Sequence, residues 1–150
     1  MRKILFRGQT RRYGEKVRIG DGAKVPGHWV YGGVLQGVGS HSIIYGGESA
    51  NDPSAGLNKW CVYSDTLGQF TGRTDKNGRK VFEHDILQTF TISADGTVEK
   101  CGVCVVQWWE NDQCYVLATK EGYHVDDFGN LGRPEYYEVI GNIHDNPELL

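Results

Sequence analysis

The run GVCVVQWW, residues 102–109, narrows the possible folds more than any other stretch of the chain. Valine, cysteine and tryptophan in succession favour a strand, and neighbouring side chains on a strand point to opposite faces. Apolar groups therefore stand above and below this ribbon, and both faces have to be covered. Trp108 and Trp109 pose the same demand: in a small barrel one indole fills the core and the other lies outside. An outer Trp beside Val105 or Val106 is a natural anchor for a partner, so Val105, Val106, Trp108 and Trp109 form a candidate interface. Cover by the N-terminal part of the same chain meets the demand equally well.

Strand signals surround this run. In ILQTFTI, which follows Asp85, Ile86, Phe90 and Ile92 can share one face. Ala94-Asp95-Gly96 predicts a two-residue hairpin turn. Glu110–Gln113 predicts the next turn, Tyr115–Leu117 a strand, residues 120–135 a polar loop, and Tyr136–Ile143 the last strand. Upstream, strands are expected at residues 2–8, 28–35 and 42–45 and within KWCVYSDTLGQF, with GESANDPSAGLN (47–58) an exposed loop. The 150 residues suit one compact domain or two small lobes that share a core, and 21 glycines among short aromatic and β-branched runs point to a mainly β fold. The division expected is an N-terminal β-rich lobe, 1–70, packed with a second lobe, 71–150, whose strands and tight turns fit a small closed barrel.

Net charge is −3, but it is unevenly placed. Residues 1–24 hold eight basic residues against two acidic ones, a balance of +6, which leaves −9 on the other 126. A basic end on an acidic body can pair with a neighbouring subunit, giving a homo-oligomer, or can touch phosphates. The second use would place Arg2, Lys3, Arg7, Arg11 and Arg12 on a nucleic-acid backbone with Trp or Tyr stacked on bases. The opening MRKILFRGQTRR lacks the apolar core of a signal peptide, and no stretch approaches the ~20 apolar residues of a membrane helix. A soluble, cytoplasmic protein without a membrane partner is expected, its four cysteines being thiols or metal ligands.

The segment TGRTDKNGRK, residues 71–80, could be a cation loop or a tight turn feeding a strand. A calcium loop needs oxygen ligands at alternating positions; Asp75 and Asn77 fit, but Arg79 puts a cation where an anion is required. Asn77-Gly78 reads instead as a type I′ turn, with both central residues at positive φ. The longer run QFTGRTDKNGRKVFEHDIL, together with the closing YEVIGNIHDNPELL, the MRKILFRG start and the Trp29-x-Tyr-Gly segment, resembles the YopX family of phage and prophage proteins. The Gly-rich GGVLQGVGSH and the cysteines depart from that pattern. The resemblance implies a mostly β protein whose C-terminal half is an SH3-like barrel, a bacterial host cell as setting, and self-assembly or binding to another phage or host protein. It carries no catalytic or binding residues with it.

Other constellations point to scaffold. Cys101-Gly-Val-Cys104 has the spacing of half a zinc site, with Cys114 and Cys61 as completions, yet it leads straight into a β run that turns residues three apart to opposite faces. Glu83-His84-Asp85 concentrates titratable groups, but on an extended segment His84 points away from the two carboxylates. The pairs His124/Asp126 and His144/Asp145 fall in polar loops, and His28 and His41 flank strands. Phosphate-loop, nucleophile-elbow and zinc-protease motifs are absent, so no catalytic residue, metal or cofactor is expected.

Overall fold

A computed structural model describes residues 4–10, 29–36, 39–45 and 59–150. Its strands are β1 (Phe6–Gln9), β2 (Trp29–Leu35), β3 (His41–Tyr45), β4 (Lys59–Tyr63), β5 (Gly68–Thr74), β6 (Lys80–Phe82), β7 (Asp85–Ile92), β8 (Val98–Trp109), β9 (Cys114–Ala118), β10 (His124–Asp127) and β11 (Tyr137–Asn142). Short 3-10 turns are the only helical elements among the described residues. The chain divides into two compact units, Met1–Gln69 and Phe70–Leu150. The expected exposed loop at 47–58 lies outside the described residues.

In the first unit the strands run in the order β4-β3-β2-β1 and then the start of β5, each pair antiparallel. Val30, Ile44 and Val62 form its core, with Trp60 and Leu67 packed against them. The N–H of buried Gln9 donates to Thr66 Oγ1, whose hydroxyl donates in turn to Tyr63 O, so the turn after β4 is tied to β1.

The second unit is built on a five-stranded antiparallel sheet in the order β10-β9-β8-β7-β11, and the later part of β5 pairs with β6. The sheet is open: β10 and β11 are its edges, so the closed barrel expected of this half is not formed. The expectation failed because the strand count and turns that specify a barrel equally specify an open meander. On one face Leu87, Cys104, Val106, Leu117, Tyr137 and Val139 form a core with Val81 and Phe128. On the other, Ile86, Val105, Val116 and Ala118 are at most 2% exposed. Both faces of β8 are thus dry between Cys104 and Val106, as its residues require.

Three hairpins of this unit share one turn design. Gly78 N donates to Asp75 O and Asp75 N to Arg79 O; Ser93–Thr97 and Thr119–Tyr123 repeat both bonds. This is a type I turn closed by a glycine in the left-handed region, here Gly78, Gly96 and Gly122, with neither Asn77 nor Asp95 at positive φ. The two-residue and type I′ turns read from Asn-Gly and Asp-Gly are therefore corrected to three-residue loops. A side chain seals each loop: Asp75 Oδ1 and Thr119 Oγ1, on the residues that open theirs, and Asp95 Oδ1, two residues beyond Ser93 in the second loop, accept backbone N–H groups. The third hairpin turns the predicted polar loop 120–135 into strand β10 and two 3-10 turns.

Gly78→Ala should cost about 1 kcal/mol or more in urea unfolding, because an alanine resists the left-handed backbone. Gly102→Ala, where an added Cβ meets open space, should stay within about 0.5 kcal/mol. Equal losses at the two sites would contradict the turn assignment.

Candidate interaction surface

The signature turn is a staple for an exposed strand edge. Asp75 is 2% exposed; its Oδ1 accepts from Asn77 N and Arg79 N, and its Oδ2 accepts from Val139 N at 2.9 Å. Lys76 N donates to Tyr137 O, and Arg79 Nη1 reaches Val139 O. The outer side of β11, which would otherwise present bare backbone to solvent, is therefore covered. Over this contact the Lys76 ammonium and the Asn77 amide bind Glu138, at 2.6 and 3.1 Å. Those bonds, Lys76 first, hold the Glu138 carboxyl below an ordinary glutamate's 4.5. Its contribution is present above that pH and fades as pH falls through the lowered value.

A second contact joins the same two segments. Asp85, fully buried, accepts from Phe82 N at 2.7 Å and pairs with Asn142 across β7 and β11. His84, at φ +70°, donates its N–H to Val106 O and accepts from Ile143 N. Its Nδ1 stands 3.3 Å from His144 Nε2, and its Nε2 lies 3.8 Å from Glu83. Glu83, His84 and Asp85 thus serve a corner of the scaffold, and no three His, Cys, Asp or Glu side chains among the described residues are grouped to hold a metal ion. Cys61 and Cys101 are exposed, Cys114 is half-buried, and Cys104 is buried with its thiol pushed up to about 11 by desolvation.

The four candidate interface residues separate. Val105 and Val106 are inside, while Trp108 is 43% exposed and meets the Tyr115 ring edge-on at 5.1 Å. Trp109 is half-buried and faces the His124 ring, itself bonded to Asp127 at 3.1 Å. Of the basic candidates, Arg7 is 4% exposed with its guanidinium 4.6 Å over the Trp29 ring. Arg2, Lys3, Arg11 and Arg12 lie outside the described residues.

The longest unbroken run of exposed positions among the described residues is one that sequence reasoning passed over. Every residue from Thr91 to Val103 is exposed. Here β7 and β8 run on as a two-stranded arm, since β11 pairs with β7 only up to Thr89 and β9 pairs with β8 only from Val105. A bulge sets the arm off from the body: the register gains a residue in β8 opposite Gln88–Phe90. Thr89 Oγ1 donates to Gly102 O and accepts Gly102 N, and Gln88 Nε2 also donates to Gly102 O. By the alternation of paired residues, Ile92, Val98 and Val103 share one side of the arm, at 37%, 58% and 40% exposure, with Phe90 and Lys100 between them, while Thr91 and Glu99 take the other. The available signal was Ile92 before and Val98 after the predicted Asp95-Gly96 turn, an apolar pair that continues both strands outward.

The family model described as YopX protein matches residues 29–150. The chain belongs to the YopX family. Comparison with curated proteins gives no match. In this YopX protein the two long runs that carry the resemblance meet in space, through Asp75 with Val139, Asp85 with Asn142, and His84 with Ile143 and His144. Each contact closes a turn or an edge.

Asp75→Ala should destabilise the YopX chain by about 3 kcal/mol or more in urea unfolding, since it strips a buried acceptor from three N–H groups at once. A loss below about 1 kcal/mol would show that the staple is dispensable.

Proposed function

We propose that this YopX protein is a non-enzymatic binding module of the phage or prophage setting, working in the host cytoplasm and docking another protein through the β7–β8 arm. The observation that carries the reading is the ordered arm itself, with Ile92, Val98 and Val103 exposed along one side. Apolar side chains aligned on a projecting element are costly to leave in water and favour burial against a partner. Trp108 and Tyr115 add an aromatic anchor of the type that concentrates binding energy. An enzymatic reading has less support. A depression lined by Gly72, Arg73, Thr74, Gly132, Pro134 and Tyr137 offers one charged group, and Arg73 is already bonded to Gly132 O and Gly129 O.

Association of copies is the second reading, favoured by the +6 balance of residues 1–24 against −9 on the remainder. The nucleic-acid reading is weakened by the burial of Arg7, one of its five basic residues.

Photo-crosslinking separates these readings. A photoreactive amino acid placed at Ile92 or at Val98, in cells carrying the phage, should give a discrete adduct with another protein. The same group at Asp112, in the turn between β8 and β9, should give none. Adducts between copies would favour association, and equal labelling from all three positions would overturn the docking reading. Labelled single- and double-stranded DNA should show no saturable binding between 50 and 200 mM salt, conditions over which phosphate contacts would be conspicuous.

A further inference from the structure

We infer that the outer edge of β8, from Val98 to the bulge at Cys101 and Gly102, accepts an extended strand from a different polypeptide, prolonging the sheet beyond the end of β9. The inference rests on the arm being the docking element, and adds that the partner is held by a backbone ladder.

Three edges of the five-stranded sheet differ in their protection. That of β11 is covered by the Asp75 turn. That of β10 is four residues long, bulged between His124 and Asp126, and carries Asp126 and Asp127. Short length, bulges and charge are the devices that discourage strand addition. The β8 edge has a bulge at one end only, contains no proline and is exposed throughout; its two charges, Glu99 and Lys100, are opposite in sign and so select a strand rather than repel every one.

Its backbone groups are correctly aimed. The bond from Ser93 N to Thr97 O starts the hairpin ladder, and antiparallel pairs alternate between hydrogen-bonded and open. Ile92 with Val98 is then an open pair, Thr91 with Glu99 a bonded one, and Phe90 with Lys100 open again. The N–H and C=O groups of Val98 and Lys100 therefore point away from β7, two residues apart, as a ladder requires. At the bulge Gly102 turns its N–H and C=O inward to Thr89, which ends the run.

Charge selects the occupant. In an antiparallel pair of identical edges related by a two-fold axis, a register centred on Glu99 sets Glu99 against its copy. One centred on Lys100 sets Lys100 against its copy. A centre at Val98 runs Lys100 into the copy's turn at Gly96, and one at Cys101 falls beside the bulge. Like charges directly opposite are destabilising. A different strand that places an acidic residue opposite Lys100 and a basic one opposite Glu99 gains both pairs, and its apolar side chains can lie beside Val98 and Val103. Such an addition is a recurrent mode of peptide recognition, with affinity from main-chain bonds and specificity from alternate side chains.

The test uses the full chain and a labelled synthetic peptide, TVTDKVTV, which opposes Asp to Lys100 and Lys to Glu99 when antiparallel. Fluorescence anisotropy should show saturable binding, at least tenfold weaker for the charge-swapped TVTKDVTV and for the Lys100→Pro variant. Proline removes an outward N–H and leaves the β7 ladder intact, so this variant should fold; its unfolding curve checks that. Peptide binding should shift the NMR amide signals of Val98 and Lys100. Absence of binding, equal affinity for both peptides, or shifts centred elsewhere would overturn the inference. So would a shift of the same two amides with protein concentration alone, which would identify a second copy as the occupant. If Lys100→Pro keeps its photo-adducts at Ile92 and Val98, the partner lies on the face of the arm and only the strand addition fails. If the unmodified edge gives no adducts, the docking reading itself fails.

Discussion

Removal of water from both sides of β8 at Cys104, Val105 and Val106 is the constraint from which the second unit follows. Side chains of this size gain roughly 1.5–3 kcal/mol each on burial, so a ribbon apolar on alternate faces is stable only with cover above and below. Leu87, Val139 and Phe128 dry one face, while Ile86, Val116 and Ala118 are buried on the other. With its middle fixed, β8 continues through the bulge into six exposed residues, Val98 to Val103. A two-stranded ribbon alone is marginal in water, so the arm owes its order to the buried half of the strands that form it.

An open sheet has the further problem of its edges, and this chain spends its most recognisable residues on one of them. Asp75 accepts three backbone N–H groups with a single buried carboxylate, two inside its own turn and one from β11. Loop closure and edge protection are consequently one event. Because the tail after β11 returns to His84 through Ile143 and His144, the first and last elements of the unit are locked to each other. The residues by which the chain resembles its family thus close turns and edges around the core, and the arm lies outside both of those runs.

Much of this was legible in the sequence, for physical reasons that differ by element. The apolar doublet faces of GVCVVQWW required a two-sided burial that the structure has, and the hydrophobic alternation of ILQTFTI gave β7 nearly to the residue. Turn type was not legible, because Asn-Gly and Asp-Gly serve two-residue loops and three-residue loops alike, and the pairing around them decides. Barrel closure was not legible either, since it depends on whether β10 and β11 meet, which no local pattern reports. β10 was missed because Lys-Glu-Gly is a weak turn signal and HVDD is too polar to look like a strand. The arm was missed because VEKCGV reads as turn flank until β8 is known to begin at Val98.

Residue-resolved hydrogen exchange of the protein at low concentration tests the division of β8 most directly. The amides of Val105, Val106 and Val116 should exchange only by global unfolding, that of Glu99 should show intermediate protection through its pairing with Thr91, and those of Val98 and Lys100 should exchange almost as fast as in an unstructured peptide. Uniform strong protection from Val98 through Val106 would contradict the account, because it would mean that the outer edge is already occupied.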